Sequence, residues 1–167
     1  MLLPYTICFI IKNDKVLLLF RNKAPNQFKW NGVGGKIEHN ETPHESIKRE
    51  IMEETGLIVN EVIFRGIVTW NNRSGMYVFI GNDIKGTCIE GPEGKLEWKE
   101  LNWIYKTNEV VSNIPYFLDE IMSTNSSLEH SFLYSETGGI ISYDKKELHP
   151  KLLESVYKVP ILLESHK

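Results

Sequence analysis

The chain has 167 residues, and its 19 basic and 22 acidic residues give a formal net charge of −3. This size is typical of one domain with its own hydrophobic core, and the mild acidity argues against a protein that coats nucleic acid. The two cysteines, Cys8 and Cys88, belong to no CxxC or Cys/His cluster. We therefore expect free thiols in a reducing compartment rather than a disulfide framework or a structural zinc site.

The opening segment does not have the pattern of a secretory signal peptide, because Pro4 interrupts its apolar run and Lys12 is its first basic residue. No run in the sequence approaches the roughly 18 apolar residues of a membrane span. We therefore expect a cytoplasmic protein, monomeric or homodimeric, that associates with neither membranes nor nucleic acid.

The first part of the chain predicts two strands followed by a glycine-rich segment. Residues 5–11 are β-branched, aromatic and almost wholly apolar, which predicts a strand buried on both faces. A turn at 13–14 leads to a returning strand at 16–20. Residues 21–29 predict a loop, and residues 30–36 contain the densest glycine sequence in the chain.

The clearest helix of the sequence follows this glycine-rich segment. Thr42 is a suitable N-cap, Pro43 suits the first turn, and Glu45 completes a Thr-x-x-Glu capping box. The body of the helix is predicted to run to about Thr55, and Gly56 is the expected left-handed terminator.

The rest of the chain predicts further strands and a second helix, an order typical of a mixed α/β layer structure. In chain order we predict strands at 62–71 and 76–80 around a turn, a loop at 81–95, a strand at 96–104, a helix at 115–122, and a hairpin of 132–134 and 140–143.

The pattern divides the chain into a domain of residues 1–143 and a C-terminal extension of residues 144–167. The extension has an apolar stripe that includes Leu148, Leu152 and Val156. Two interpretations remain open, namely a short helix that packs on the domain and a tail that binds a partner.

Three carboxylates of the predicted helix, Glu50, Glu53 and Glu54, have the spacing i, i+3 and i+4 and therefore share one face. Each like-charge pair costs roughly 0.2–0.5 kcal/mol even on an exposed helix. A solvated acidic face is one interpretation. The other is a site for a hard divalent cation, Mg²⁺ or also Mn²⁺, which prefers oxygen ligands.

The residues around this helix carry a resemblance to a known family. The run Gly35-x5-Glu41-x7-Arg49-Glu50-Ile51-x-Glu53-Glu54-x-Gly56-Leu57 resembles the Nudix box at every defined position. A match of this length is far more specific than a lone glycine motif. The resemblance implies an α/β fold, the α/β/α sandwich with a central mixed sheet.

The resemblance also implies the chemistry, hydrolysis of a phosphoanhydride bond in a nucleoside diphosphate linked to another group. By family position, Glu50, Glu53 and Glu54 bind the metal together with the carbonyl of Gly35. One of these carboxylates, or a glutamate from a separate loop, acts as the base. Two residues have a supporting role, Arg49 and Glu41, whose side chains can form a bidentate pair.

The segment 30–36 is similar to the one that enters the box in MutT-like 8-oxo-dGTP diphosphatases. The resemblance implies that Asn31 reads a purine edge, since an amide offers both a donor and an acceptor; a turn residue is the alternative. Lys36 and Arg21 are candidate phosphate or base contacts, or solvated charges. Phe28 is a candidate for the base pocket, with core packing as the alternative.

A fourth carboxylate is expected from the loop before the predicted strand at 96–104. MutT-like proteins often place an acid there, and Glu93 is the first candidate, with Glu90 and Glu97 as alternatives. One departure concerns the base. The animal 8-oxo-dGTP enzymes have a Trp-Pro-Asp-Asp segment, but the equivalent region here, about 110–113, has no acid pair.

The sequence thus predicts a Mg²⁺-dependent Nudix pyrophosphohydrolase that converts nucleoside triphosphates, above all oxidised purine dNTPs, to NMP and pyrophosphate. Nucleotide sugars, dinucleoside polyphosphates and capped RNA ends remain alternative substrates. A non-catalytic nucleotide sensor on the same scaffold is the alternative from a different class.

Overall fold

The computed structural model describes residues 3–123 and 127–159, in which a sheet lies between helices on both of its faces. In chain order the elements are β1 (Tyr5–Lys12), β2 (Lys15–Arg21), β3 (Trp30–Asn31), β4 (Val33–Lys36), α1 (Pro43–Thr55), β5 (Ile58–Trp70), β6 (Ser74–Lys85), β7 (Gly94–Glu100), α2 (Leu101–Lys106), α3 (Ile114–Ser123), β8 (Leu128–Tyr134), β9 (Ile140–Glu147) and α4 (Pro150–Ser155). The predicted α/β class is confirmed.

Strands of the described residues form one mixed sheet in the order β3-β2-β1-β6-β5-β8-β9, with β4 paired to β1 and β7 paired to β2. Strand β1 is parallel to β6, and β5 is parallel to β8. The remaining pairs are antiparallel. This mixture of directions is the central mixed sheet that the sequence predicts.

Strand β1 lies in the middle of the sheet and is buried on both faces, as its composition predicts. Because side chains alternate along a strand, Cys8 and Ile10 face a core that includes Ile51 of α1. Ile7 and Phe9 face a second core, which α2 and α3 cover. One core lies on each face of the sheet, so the sheet is the middle layer between two layers of helices.

The predicted strand at 96–104 is wrong in its second half. Strand β7 ends at Glu100, and helix α2 begins at the next residue. Leu101 and Ile104 both pack on the second core, and their spacing of three residues is the helical one. Apolar and polar residues alternate only loosely from 96 to 104, so the sequence does not reveal where the strand period of about two changes to the helical period of about 3.6.

The predicted loop at 81–95 is too long. Strand β6 continues to Lys85, because its end pairs with the start of β5 at Ile58. A long-range pairing therefore overrides the glycine and acidic residues that favour a loop in this part of the sequence.

The start of the C-terminal extension belongs to the sheet, since β9 continues past residue 143 to Glu147. Helix α4 follows, and Leu152 and Val156 pack on the core that α1 covers. The hydroxyl groups of Ser155 and Tyr77 lie 3.0 Å apart and form a hydrogen bond. Residues 160–167 of the extension lie outside the described residues.

Candidate active site

Helix α1 is held at both ends by the residues that the sequence predicts. Glu45 N–H donates to Thr42 Oγ1 at 3.0 Å, and Thr42 N–H donates to Glu45 Oε1 at 3.2 Å. Gly56 ends the helix in the left-handed conformation at φ 71°, which costs glycine little. These caps fix the register at which Glu50 and Glu54 project from the helix.

Arg49 connects the carboxylates of the motif. Its Nε and Nη2 donate to the two oxygens of Glu41 at 2.7 and 3.0 Å, which is the bidentate pair expected from the sequence. Its Nη1 donates to Glu50 Oε1 at 3.1 Å and to Glu53 Oε2 at 3.0 Å. The hydrogen bond from Arg49 lowers the pKa of Glu41, so this carboxyl group stays ionised and holds the guanidinium in place.

Glu50 lies directly against the backbone of Gly35. A Cβ atom at residue 35 would be 2.5 Å from Glu50 Oε1 and 2.8 Å from its Cδ. Only glycine therefore leaves room for this carboxyl group beside the peptide whose carbonyl is the predicted metal ligand.

Glu54 is the most deeply buried carboxylate of the motif, with 5% of its surface exposed. Its Oε1 accepts a hydrogen bond from Gly34 N–H at 3.3 Å, whereas its Oε2 is buried without a hydrogen-bond partner in the described part of the chain. Burial raises the pKa of Glu54 to about 9, and the neighbouring carboxyl groups of Glu50 and Glu93 add to the rise. Burial also raises the pKa of Glu50.

These residues fit a hard divalent cation. A buried carboxylate oxygen without a donor, next to a second, partly buried carboxylate, is stabilised by a positive charge, and oxygen is the ligand that Mg²⁺ and Mn²⁺ prefer. Within residues 3–123 and 127–159, no three His, Cys, Asp or Glu side chains are already grouped as a metal cluster. One reason is that Glu53 is directed to Arg49 and its side chain is 57% exposed.

Glu93 is the loop glutamate that reaches the carboxylate helix. It lines a small pocket of about 150 Å³ together with Glu54. Of the two alternatives, Glu90 accepts a hydrogen bond from a backbone N–H of β7, and Glu97 pairs with Lys99 at 2.6 Å. The geometry therefore favours Glu93 over both.

A larger cavity of about 650 Å³ adjoins the carboxylates and is lined by Glu50 and Glu93. Three of the four predicted substrate contacts, Arg21, Asn31 and Lys36, also line it. Phe28 is not part of this lining, and 65% of its surface is exposed.

Asn31 has a local structural role in addition to its place in the cavity. Its Oδ1 accepts a hydrogen bond from Gly32 N–H at 2.9 Å, so the turn interpretation also applies. Among the described residues, no hydrogen bond uses the amide nitrogen of Asn31, which has two donors.

The cavity contains residues that sequence reasoning did not assign to the site. Trp70 comes from the end of β5, Met76 from β6, Asn113 from the loop before α3, and Tyr134 from the end of β8. For Trp70, Met76 and Tyr134 the only sequence signal is residue type, because long-range strand pairing brings them together. Asn113 lies in the segment 110–113, which the resemblance equates with the base-reading segment of related enzymes.

Comparison with known proteins agrees with this geometry. A NUDIX domain model matches residues 1–119. The chain is 30% identical over 161 residues to an uncharacterized Nudix hydrolase of Bacillus subtilis. The alignment covers 87% of this chain and 96% of that protein. The layered fold and the carboxylate helix define a hydrolase of the Nudix class. The chain belongs to the Nudix family, and the predicted enzyme class, a pyrophosphohydrolase, is confirmed.

Two further relatives carry substrate names. The chain is 25% identical over 149 residues to an oxidized purine nucleoside triphosphate hydrolase of Mus musculus, over 86% of this chain and 94% of that protein. It is 34% identical over 99 residues to an ADP-ribose pyrophosphatase of Methanocaldococcus jannaschii, over 56% of this chain and 59% of that protein. Among solved structures, a MutT protein of Bacillus halodurans superposes with a TM-score of 0.74 at 27% identity, over 86% of this chain and 97% of that one.

Proposed function

We propose that this protein hydrolyses purine nucleoside triphosphates, including oxidised ones such as 8-oxo-dGTP, to NMP and pyrophosphate with Mg²⁺ or Mn²⁺ as cofactor. One observation carries the proposal. Oε2 of Glu54 is buried, has no hydrogen-bond partner among the described residues and lies beside Glu50. Glu50 in turn lines a cavity of about 650 Å³. That volume is within the range of pockets that enclose small organic ligands.

Each residue of the proposed site has a distinct task. Glu50, Glu53, Glu54 and the carbonyl of Gly35 would hold the cation, with Glu93 as a further ligand. When bound, such a cation supplies positive charge to phosphate oxygens and lowers the pKa of water. Arg49 fixes Glu50 and Glu53 through Nη1, so it orients ligands without contacting the substrate.

In the reaction, water attacks phosphorus, the bond to the bridging oxygen breaks, and pyrophosphate leaves. One of the carboxylates Glu50, Glu53, Glu54 and Glu93 accepts the proton of the water. Lys36 and Arg21 line the same cavity, and their positive charges would bind phosphate oxygens. These roles for individual residues are part of the proposal.

The choice of substrate is supported by the relatives and by the lining of the cavity. A mouse relative that aligns over most of both chains is named an oxidized purine nucleoside triphosphate hydrolase. Asn31 lines the cavity, and its amide donors would bind a purine edge. We also propose that the protein acts in the cytoplasm on small nucleotides, as a monomer or homodimer.

The direct test is pyrophosphate release from a panel of nucleotides, with and without Mg²⁺. We expect Glu54→Gln and Glu53→Gln to lower kcat at least about a hundredfold, because loss of a metal ligand removes transition-state stabilisation. Glu61→Gln, on the exposed part of β5, is the matched control and should keep full activity. If Glu53→Gln and Glu54→Gln stay within about threefold of the unmodified protein, the metal assignment is wrong.

The same panel separates the alternatives. The name of the archaeal relative favours ADP-ribose as a second candidate substrate, so ADP-ribose belongs in the panel beside nucleotide sugars and dinucleoside polyphosphates. If ADP-ribose is hydrolysed to AMP and ribose 5-phosphate with a higher kcat/KM than any triphosphate, ADP-ribose replaces the triphosphate as the proposed substrate. Tight nucleotide binding without turnover would instead indicate a sensor.

A further inference from the structure

Glu93 is the last residue of the loop between β6 and β7, and its backbone determines where its carboxylate points. Pro92, Glu93 and Gly94 line the small pocket together with Glu54. Strand β7 begins at Gly94, which pairs with Arg21 of β2. The direction of the Glu93 side chain is therefore set by the two peptide groups on either side of its Cα atom.

A single residue, Asn22, holds both of these peptide groups. Its backbone N–H donates to the carbonyl of Glu93 at 3.1 Å, which continues the pairing of β2 with β7 by one residue. Its side-chain Nδ2 donates to the carbonyl of Pro92 at 3.0 Å. Because each peptide group is planar, the first bond orients the group after Glu93 and the second orients the group before it. Asn22 thus restrains both rotations about the Cα atom of Glu93.

The side-chain bond has a special value because its acceptor belongs to a proline. Proline has no backbone N–H, so the carbonyl is the only backbone group through which Pro92 can be held by a hydrogen bond. Asn22 is exposed, and an exposed hydrogen bond of this kind adds little to the stability of the fold. Its main effect is therefore on the position of the neighbouring residue, Glu93.

The loop that begins with Asn22 is itself folded back on the end of β2. Phe28 N–H donates to the carbonyl of Arg21 at 2.8 Å, and Arg21 Nε donates to the carbonyl of Pro25 at 2.8 Å. Arg21 and Pro25 line the large cavity. The loop at the substrate cavity and the loop that ends with Glu93 are therefore joined at Asn22.

We propose that Asn22 is a positioning residue that directs the carboxylate of Glu93 toward Glu54. The inference rests on the proposed function, in which Glu93 is a metal ligand or the base. A reacting or ligating group that is displaced by about 1 Å can cost up to a hundredfold in rate. Loss of the hydrogen bond to Pro92 therefore lowers activity even though it leaves the fold intact.

The kinetic test is Asn22→Ala, which removes the bond to Pro92 and keeps the backbone bond to Glu93. We expect kcat for pyrophosphate release to fall about fivefold to tenfold, with KM for the nucleotide changed less than about twofold. A rise in KM at constant kcat would show that Asn22 acts through its neighbour Arg21 instead, and would overturn the inference.

Gln27→Ala is the matched control. Gln27 lies on the same loop, is exposed, and donates from Nε2 to the carbonyl of Asn22 at 3.2 Å. It is not among the described residues that line either cavity. Its replacement also removes one side-chain hydrogen bond of the loop, and both kcat and KM should stay within about twofold of the unmodified protein. An equal loss of kcat in the two variants would indicate general loosening of the loop and would overturn the inference.

A double-mutant cycle with Glu93→Gln tests whether Asn22 acts through Glu93. If it does, Asn22→Ala should change kcat less than about twofold in the Glu93→Gln background, because the group that it positions is already lost. If Asn22→Ala lowers kcat by the same factor with and without Glu93, or if Glu93→Gln alone keeps full activity, the inference is overturned.

Hydrogen exchange of the metal-free protein gives a measurement that does not depend on turnover. In Asn22→Ala the backbone amides of residues 91–96 should exchange about twofold to tenfold faster than in the unmodified protein, whereas Gln27→Ala should leave them unchanged. Unchanged exchange in Asn22→Ala would overturn the inference even if a nucleotide is hydrolysed. If the unmodified protein hydrolyses no nucleotide, the proposed function fails, and faster exchange in Asn22→Ala alone would still show that Asn22 fixes the backbone of Glu93.

Discussion

The carboxyl group of Glu50 occupies the space that a side chain at Gly35 would need. A Cβ atom added to Gly35 would lie 2.5 Å from Glu50 Oε1, closer than two such atoms can approach. The glycine of the motif is thus explained by the glutamate fifteen residues later, since the backbone and the carboxylate must both reach the same place.

Replacement of Gly35 by alanine tests this relationship. We expect Gly35→Ala to lower kcat at least about tenfold, because a ligand displaced by about 1 Å can cost up to a hundredfold in rate. The melting temperature should change little, since the end of a side chain can move away. Gly139→Ala is the matched control, because its Cβ would make only an ordinary 3.5 Å contact with Ser135 Oγ. Full activity of Gly35→Ala would contradict the close packing.

Replacement of Arg49 by lysine should lower both stability and activity. Lysine keeps the charge but cannot make the bidentate pair with Glu41 while also reaching Glu50 and Glu53. We expect the free energy of unfolding, measured with urea, to fall by about 1–2 kcal/mol, and kcat at saturating Mg²⁺ to fall with it. Lys48→Gln, at an exposed position of the same helix, should leave both quantities unchanged. An equal effect at the two positions would mean that only helix charge matters.

The two loop glutamates Glu93 and Glu97 should differ sharply in their effect on activity. Glu93 lines both the pocket beside Glu54 and the large cavity, whereas Glu97 forms an ion pair with Lys99 and its side chain is 53% exposed. We expect Glu93→Gln to lower kcat about a hundredfold if it is a ligand or base, and Glu97→Gln to lower it less than twofold. If Glu97→Gln lowers the rate of pyrophosphate release more than Glu93→Gln does, Glu97 rather than Glu93 is the ligand or base.

The buried imidazole of His130 should make the protein less stable in weak acid. Burial lowers the pKa of His130 to about 4, and the charge of Lys145 favours the neutral form as well, whereas Glu120 opposes the shift. Because the unfolded chain binds the proton near pH 6.5 and the folded chain does not, stability is complete above pH 6.5 and falls as the pH drops toward 4. The loss is at most about 1.4 kcal/mol per pH unit.

His130→Phe isolates this contribution. The variant keeps an aromatic ring between Phe117 and Tyr143 but binds no proton. Urea unfolding at pH 7.5, 6 and 5 should give a smaller loss of free energy toward acid than in the unmodified protein. Parallel pH profiles for the two proteins would show that the folded and unfolded chains bind the proton of His130 at the same pH, which would contradict the lowered pKa.

The sequence was sufficient to predict the local parts of the site. The capping box of Thr42 and Glu45, the left-handed Gly56 and the pair of Arg49 with Glu41 all depend on residues close together in the chain. Such features follow from spacing and backbone preference alone. The strands with strong apolar runs, such as β1, were predictable for the same reason.

The wall of the cavity could not be predicted in this way. Tyr134 and Trp70 are 64 residues apart in the sequence and line the same cavity because β5 and β8 pair in parallel. Similarly, the start of α2 at Leu101 depends on contacts with the second core rather than on its own composition. Residue type suggested an aromatic pocket, but the choice of aromatic residue required the register of the sheet.

The parallel pairing of β1 with β6 has a consequence for folding during synthesis on the ribosome. Tyr5 pairs with Met76, so the most apolar strand is synthesised about seventy residues before its central neighbour. Until then the antiparallel β2 and β4 cover only one edge of β1, and the edge that β6 takes stays unpaired. Pairings of such long range form slowly. The emerging chain therefore exposes an apolar strand with an unpaired edge during translation. A chain released before residue 76 would be prone to aggregate.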